Sequence, residues 1–300
     1  MESEGWLVSI KVLNTSDVEQ QRTAIAGWEQ QYAQMSAGRF QGRIVHAELG
    51  GVAAYEERMN TRVEQYFRAP ANALVFSFDL STGTFYLLDS QSRNTWITPE
   101  NYREVAVIVD LALLGQHCLD EVLGDLYLIP LKSSQANLFG SWLGNLLGKL
   151  AISTDCRPPS NLAAQLIEDC LFVLDCSAPI EDRRQRQRLS LSRQIVNRVR
   201  ELTNSYPEDN FSTLQLAQAA GVSIRQLQQA FIEYTGLTPS AWLRMRRLSA
   251  AHRDLQQASP AQTTVAEIAM RRSFWHLGRF AEAYRKLFNE QPKCTLQRRP

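Results

Sequence analysis

The chain has little from which to build a metal centre, a disulfide frame or a membrane span. Of its 300 residues four are histidine and five are cysteine. Cys118, Cys156, Cys170, Cys176 and Cys294 are odd in number, scattered and without C-x-x-C spacing. That pattern suits reduced thiols and argues against a disulfide scaffold or a zinc site. The first 180 residues hold His46 and His117 with no H-x-H pair, so a metal-dependent β-barrel catalyst lacks its ligands. No nucleophile motif is present. The longest apolar run, Val105 to Leu114, is broken by Asp110 and is too short to cross a bilayer. The opening MESEGWLVSI is acidic with a short apolar stretch, so no secretory leader is expected. These absences predict a cytoplasmic protein with no metal, no cofactor, no membrane partner and no enzymatic function.

What is there is divided unevenly. A 300-residue chain is long for one core, so two domains are expected. Residues 1–180 carry 12 Lys and Arg against 21 Asp and Glu, a net of −9. Residues 181–300 carry 20 against 10, a net of +10. A basic half joined to an acidic half points to a polyanion-binding module and a separate governing module.

The acidic half reads first as a strand, WLVSIKVL, then as a helix capped at Ser16-Asp17 and running to about Ser36, with Ile25, Trp28 and Tyr32 at helical spacing. From Phe40 to Leu131, short runs rich in β-branched and aromatic residues recur about every ten residues, as in an antiparallel sandwich or barrel. Within them the stretch from Glu100 to about Gly115 is ambiguous between strand and helix, and the helix is favoured. An apolar helix over Gln135–Ile152 carries a stripe at Leu138, Trp142, Leu146 and Leu150. A second, after Pro158-Pro159, carries Leu162, Leu166 and Leu174 in register. Leu138, Trp142, Leu162, Leu166 and Leu174 are the candidate dimer interface, with packing against the chain's own sheet the competing reading. Residues 177–188, SAPIEDRRQRQR, read as a linker.

The basic half carries the sharpest pattern, FSTLQLAQAAGVSIRQLQQAFIEYTG, from Phe211 to Gly236. A helix from Leu189 to Ser205 precedes it, with Ile195, Val199 and Leu202 inward and Arg193, Arg198 and Arg200 outward. Ser212 with Gln215, and Ser223 with Gln226, are capping-box pairs at the starts of two short helices. Gly221 stands between them, where the chain needs a left-handed residue. Leu227, Ala230, Phe231 and Tyr234 form the inward stripe of the second helix, and Arg225, Gln228 and Gln229 face away. Arginine can bond guanine O6 and N7 in bidentate fashion, and glutamine adenine N6 and N7, so that face can read bases. Thr238 and Pro239 then open a long helix to about Gln257. A degraded copy of the motif follows about 50 residues after the first, capped by Thr264 and Glu267 and continuing as WHLGRFAEAYRKLFN.

Two stretches carry a family resemblance: LAQAAGVSIRQLQQAFIEYTGLTPSAWLRMRRLSAA, and VAEIAMRRSFWHLGRFAEAYRKLFNEQP. Through them residues 190–296 resemble the DNA-binding domain of the AraC/XylS family of bacterial transcription regulators. The segment IAGWEQQYAQMSAGRFQGRI is similar to the sensory half of that family's ethanolamine-operon branch. The resemblance implies seven helices, two recognition helices in successive major grooves, and a β-domain holding the effector pocket. Its base-reading positions fall on Arg225, Gln228 and Gln229, then on Trp275, His276, Gly278 and Arg279. Phosphate contacts are expected from Ser223, Arg244, Arg247, Arg271, Arg272 and Arg285. The chain departs from the family at Arg272-Ser273, where members commonly have an aromatic residue and glycine.

The expectation is therefore an α+β chain. Its β-rich, jelly-roll-like regulatory and dimerisation domain spans residues 1–176, and its all-α DNA-binding domain spans 189–300, with two helix-turn-helix units joined by a long helix. The expected function is a sequence-specific transcription regulator, an activator, with double-stranded promoter DNA, RNA polymerase, a second copy of the chain and a small-molecule effector as partners. A ligand-independent DNA-binding scaffold, or a β-barrel enzyme with a DNA-binding tail, are the alternatives.

Overall fold

The computed structural model describes residues 9–91, 93–114, 128–152, 159–179 and 183–298. Gly115, His117, Cys118 and Cys156 lie outside them. The first half is a two-sheet assembly. The strands are β1 (Ser9–Thr15), β2 (Glu29–Gln34), β3 (Gly42–Glu48), β4 (Val52–Met59), β5 (Val63–Arg68), β6 (Ala73–Asp79), β7 (Thr84–Leu88), β8 (Asn94–Ile97) and β9 (Tyr102–Asp110), with two-residue strands β10 (Leu131–Lys132) and β11 (Ala178–Pro179). The larger sheet has the order β1-β3-β4-β9-β6-β7-β10-β11, and the smaller has the order β2-β5-β8.

Strand alternation gives each sheet two different faces. On the larger sheet, Val45, Ala47, Val52, Ala54, Phe76, Phe78, Val105 and Val107 point to one side. That side is covered by α2 (Ser134–Leu150) and α3 (Leu162–Asp175). Ile44, Tyr55, Val75 and Ala106 point to the other, where they meet Phe67 and Trp96 of the smaller sheet. The far face of the smaller sheet meets the helices of the second half. The layers run from α2 and α3 through the large sheet and the small sheet to the C-terminal helices.

Three expectations about the first half change. The early helix, α1, spans only Val18–Arg22. Asp17 does cap it, accepting from the Glu19 amide, but Gly27 at φ +83° turns the chain into β2. Residues Glu100–Gly115 form no α-helix where described, only a single 3-10 turn at Leu111–Leu113. Tyr102–Asp110 is a central strand paired to β4 and β6, and Val105, Ala106, Val107 and Val109 are buried on both faces, which erases the period-two signal. In α2 the buried face is Phe139, Leu143 and Leu147, one position on from the expected Leu138, Trp142 and Leu146, while Leu150 is buried as expected. Gly140 and Gly144 set this phase. A Cβ at Gly140 would meet Leu80 at 2.9 Å and Phe78 at 3.2 Å, so the helix lies close on the sheet. Leu138 and Trp142 are consequently 72% and 43% exposed.

The second half is helical: α4 (Arg183–Ser205), α5 (Thr213–Ala220), α6 (Ile224–Thr235), α7 (Pro239–Gln257), α8 (Val265–Arg271), α9 (Leu277–Phe288) and α10 (Pro292–Gln297). Helix α4 begins inside the stretch read as linker. Among the described residues no helix is long and apolar enough to cross a membrane.

Candidate nucleic-acid interface

Each helix-turn-helix unit has its own core. In the first, Ile195, Val196 and Val199 of α4 pack with Leu216, Ala217 and Ala220 of α5, Leu227, Ala230 and Phe231 of α6, and Trp242 of α7. In the second, Leu248, Ala251 and Leu255 of α7 pack with Ile268 of α8, Phe280, Tyr284 and Phe288 of α9, and Leu296 of α10. Helix α7 therefore serves both cores and fixes their separation.

Local chemistry places the recognition helices. All three capping boxes form: Ser212 with Gln215, Ser223 with Gln226, and Thr264 with Glu267. Gly221 takes φ +69° at the end of α5, where Arg198 Nη1 also donates to the Ala220 carbonyl at 3.0 Å. A Cβ at Gly221 would meet nothing closer than Arg198 Nη1 at 4.0 Å, so the constraint is backbone conformation. Gly221→Ala is expected to destabilise the first unit by about 1 kcal/mol. A thermal melt matching wild type would refute that.

Arg225, Gln228 and Gln229 stand exposed along one side of α6, opposite Leu227, Ala230 and Phe231. In the second unit α9 begins at Leu277, later than the expected WHLGRF start. Trp275 and His276 therefore sit in the extended approach to the helix, with Trp275 69% exposed. Gly278 and Arg279 occupy its first turn and are exposed. Ser273, where the resemblance leads one to expect glycine, adopts φ +64°. Its hydroxyl donates to the Glu208 carbonyl at 3.0 Å, tying this turn to the segment between α4 and α5.

The expected phosphate-contacting residues divide. Arg244, Arg271 and Arg285 are exposed, and Ser223 caps α6. The Arg272 guanidinium makes two bonds to Asp254, at 2.7 and 2.9 Å. Arg247 bonds Asn210 Oδ1 at 2.8 Å and the Asp209 carbonyl at 3.1 Å. Both side chains join helices to loops.

Sequence reasoning missed how the reader is held. Arg200, placed outward from the helical period, is 1% exposed and pairs with Glu64 of β5. Glu64, itself 2% exposed, also accepts from Trp242 Nε1 at 2.6 Å and lies 3.3 Å from Arg246 Nε. The Arg200 and Arg246 guanidiniums lie over the rings of Tyr66 and Trp242 at 4.6 and 4.7 Å. Other bonds extend the junction. Arg62 Nη2 donates to the Thr235 carbonyl at the end of α6 at 2.9 Å, and Tyr234 donates to the Thr95 carbonyl. Gln34 Nε2 donates to the Leu287 carbonyl of α9 at 2.9 Å. His252 Nε2 lies 2.8 Å from Asp17 Oδ2. Burial alone would raise the Asp17 carboxyl, but the His252 contact, the Glu19 amide and the Gln256 side chain together hold the pKa below its ordinary value.

On its other face the small sheet closes a second site. Between the sheets, a cavity with about 20 Å³ of free space is lined by aromatic side chains and by Glu57 and Glu104. Glu57 accepts from Gln21, Tyr32 and Gln65; Glu104 accepts from Tyr55, Ser77 and Tyr102. Burial pushes both carboxyls up, and the neighbouring Glu57 helps to push Glu104 to about 8.

The second half thus defines a DNA-binding domain of paired helix-turn-helix units mounted on a small β-sheet. Residues 216–298 match the family described as "Helix-turn-helix domain". The chain is 36% identical over 106 residues to the probable thc operon regulatory protein of Rhodococcus erythropolis, covering 35% of this chain and 32% of that one. It is 40% identical over 88 residues to the XylDLEGF operon transcriptional activator of Pseudomonas putida, covering 29% and 27%. Among solved structures it is similar to a probable AraC family transcriptional regulator from Rhodopseudomonas palustris, at 36% identity, covering 35% of this chain and 98% of that one, with a TM-score of 0.32. The matches span about a third of the length of these curated relatives. The C-terminal part of the chain carries an AraC-family helix-turn-helix domain.

Proposed function

We propose that the whole chain is a sequence-specific transcription regulator, an activator, acting on double-stranded DNA in the cytoplasm. The carrying observation is the pair of helix-turn-helix units on one helix, each with an exposed polar face, at Arg225, Gln228 and Gln229 and at Arg279. On a duplex, α6 and α9 would enter successive major grooves about 34 Å apart, and the shared helix α7 would make the DNA bend to satisfy both. Arg244, Arg271 and Arg285 would fix position through phosphates, and the side chains on α6 and α9 would specify sequence. The names of the relatives, an operon activator among them, support activation. RNA polymerase is then a partner, and the β-rich half, with its cavity between two sheets, is the module through which an effector acts.

Arg225→Ala or Arg279→Ala is expected to weaken operator binding by about 1–3 kcal/mol while sparing most non-specific binding. The test is a gel-shift titration on the operator, found by genomic footprinting, and on random DNA at fixed salt. Equal losses on both would count against base reading.

A further inference from the structure

We propose that one corner of the small sheet, made by Gln34, Gly38 and Arg62, is a clamp that fixes the angle between the two recognition helices and so makes the chain selective for one spacing of two half-sites on DNA. The argument begins at the helix ends. The last carbonyls of a helix have no partner within it and carry the negative end of its dipole, so a donor from elsewhere is held there. At the end of α6 the Thr235 carbonyl accepts from Arg62 Nη2 at 2.9 Å. Near the end of α9 the Leu287 carbonyl accepts from Gln34 Nε2 and from the Gly38 amide, both at 2.9 Å. One such bond would be an ordinary cap. Here two separate recognition helices are capped by neighbouring groups on a third body.

The corner is itself tied together. Gln34 ends β2 and stands opposite Val63, the first residue of β5. The Met35 amide donates to the Arg62 carbonyl at 2.8 Å, and the Arg62 amide donates to Ser36 Oγ at 2.9 Å. Gln34 is 2% exposed, and its side-chain amide also donates to the Gly38 carbonyl at 2.7 Å. The approach to α6 is close. Gly236 takes φ +68°, and a Cβ there would meet Arg62 Nη2 at 2.9 Å, so both backbone conformation and the guanidinium call for glycine.

Helix α7 sets how far apart the two units stand, because each packs on its own stretch of that helix. Two bodies on one axis can still roll about it. A third body bonded to both removes that freedom. On DNA, a shift of one base pair turns a half-site by roughly 35° about the duplex axis. A fixed angle between α6 and α9 therefore suits one spacing. Gln34 and Arg62 are positioning residues that act through the two helices. The consequence for DNA rests on the reading of α6 and α9 as base readers, whereas the clamp itself does not.

The experiment compares full-length wild type with the Gln34→Ala, Arg62→Ala double variant in two arms. Without DNA, double electron–electron resonance reads the distance between nitroxides on Gln228→Cys and Lys286→Cys, in a chain whose other cysteines are serine. Wild type is expected to give one narrow distance and the double variant a broadened distribution. On DNA, gel-shift titrations use the footprinted operator and duplexes whose half-sites are one base pair closer or further apart. Wild type is expected to lose about tenfold in affinity at either altered spacing, and the double variant no more than about threefold. Arg62→Lys, which keeps a donor for the Thr235 carbonyl, should keep the spacing preference. A protein that was merely destabilised would bind every duplex more weakly by the same factor. If the double variant does not fold, Arg62→Ala alone, at a half-buried position, carries both arms. Equal distance distributions, or an unchanged spacing preference, would overturn the proposal and leave α7 alone to set the geometry. A broadened distance in the variant, with wild type showing no preference for operator over random DNA, would support the clamp and count against the base-reading role alone.

Discussion

Glu64→Ala is expected to destabilise the protein by about 3–5 kcal/mol, the cost typical of removing one partner from a buried ion pair. The substitution strips Arg200, at 1% exposure, of its counter-ion and leaves the Trp242 indole N–H without an acceptor. Arg246 suffers less, because it also donates to Thr203 and Asn204. The loss is an uncompensated charge more than a lost attraction, and this can be checked. Glu64→Leu combined with Arg200→Leu removes both charges together and should recover most of the stability, since apolar replacement of a whole buried pair is often close to neutral. Chemical denaturation followed by tryptophan fluorescence measures both variants. If Glu64→Ala melted like wild type, the network would be peripheral. If the double variant were as unstable as the single one, packing and not charge would be the cause.

Arg200 also shows which parts of the molecule are legible in the sequence. The helix-turn-helix units were readable because their signals are local. Capping boxes span three residues, the left-handed turn is a single glycine, and an inward stripe repeats within one helix. Gly221, Ser212, Ser223 and Thr264 are all where those rules put them. Arg200 lies on the polar side of α4 by its period, and nothing within a helix turn announces that its partner is Glu64, 136 residues earlier. The same limit hid the opposed carboxyls, since Glu57 and Glu104 become neighbours only once β4 and β9 are paired. The errors in the β-rich half have a related cause. A strand buried on both faces has no alternation to read, so Tyr102–Asp110 resembled a buried helix. An aromatic run at helical spacing crossed Gly27, whose positive φ ends any helix there.

The largest effect is expected from Leu166→Asp. Leu162, Leu166 and Leu174 were candidates for a contact between two chains, and their burial against the chain's own sheet decides what charge would do there. Leu166 is fully buried among Leu143, Leu147, Cys170 and Val173, in the cluster that covers the large sheet. Placing a carboxylate there forfeits about 2 kcal/mol of apolar burial. It adds an unpaired buried charge, whose cost exceeds that sum, so a total above about 4 kcal/mol is expected. The outcome would be an unfolded or proteolytically open N-terminal half, read by circular dichroism and limited digestion, and not a folded monomer. Leu138 and Trp142 behave differently because they project from the opposite side of α2. Leu138→Asp should change stability by no more than about 0.5 kcal/mol. If two chains associate through α2, that exposed side is the one able to mediate it. Light scattering on the Leu138→Asp, Trp142→Asp double variant would then report a halved mass with an intact fold. A folded Leu166→Asp protein would show that α3 turns its apolar face outward in solution.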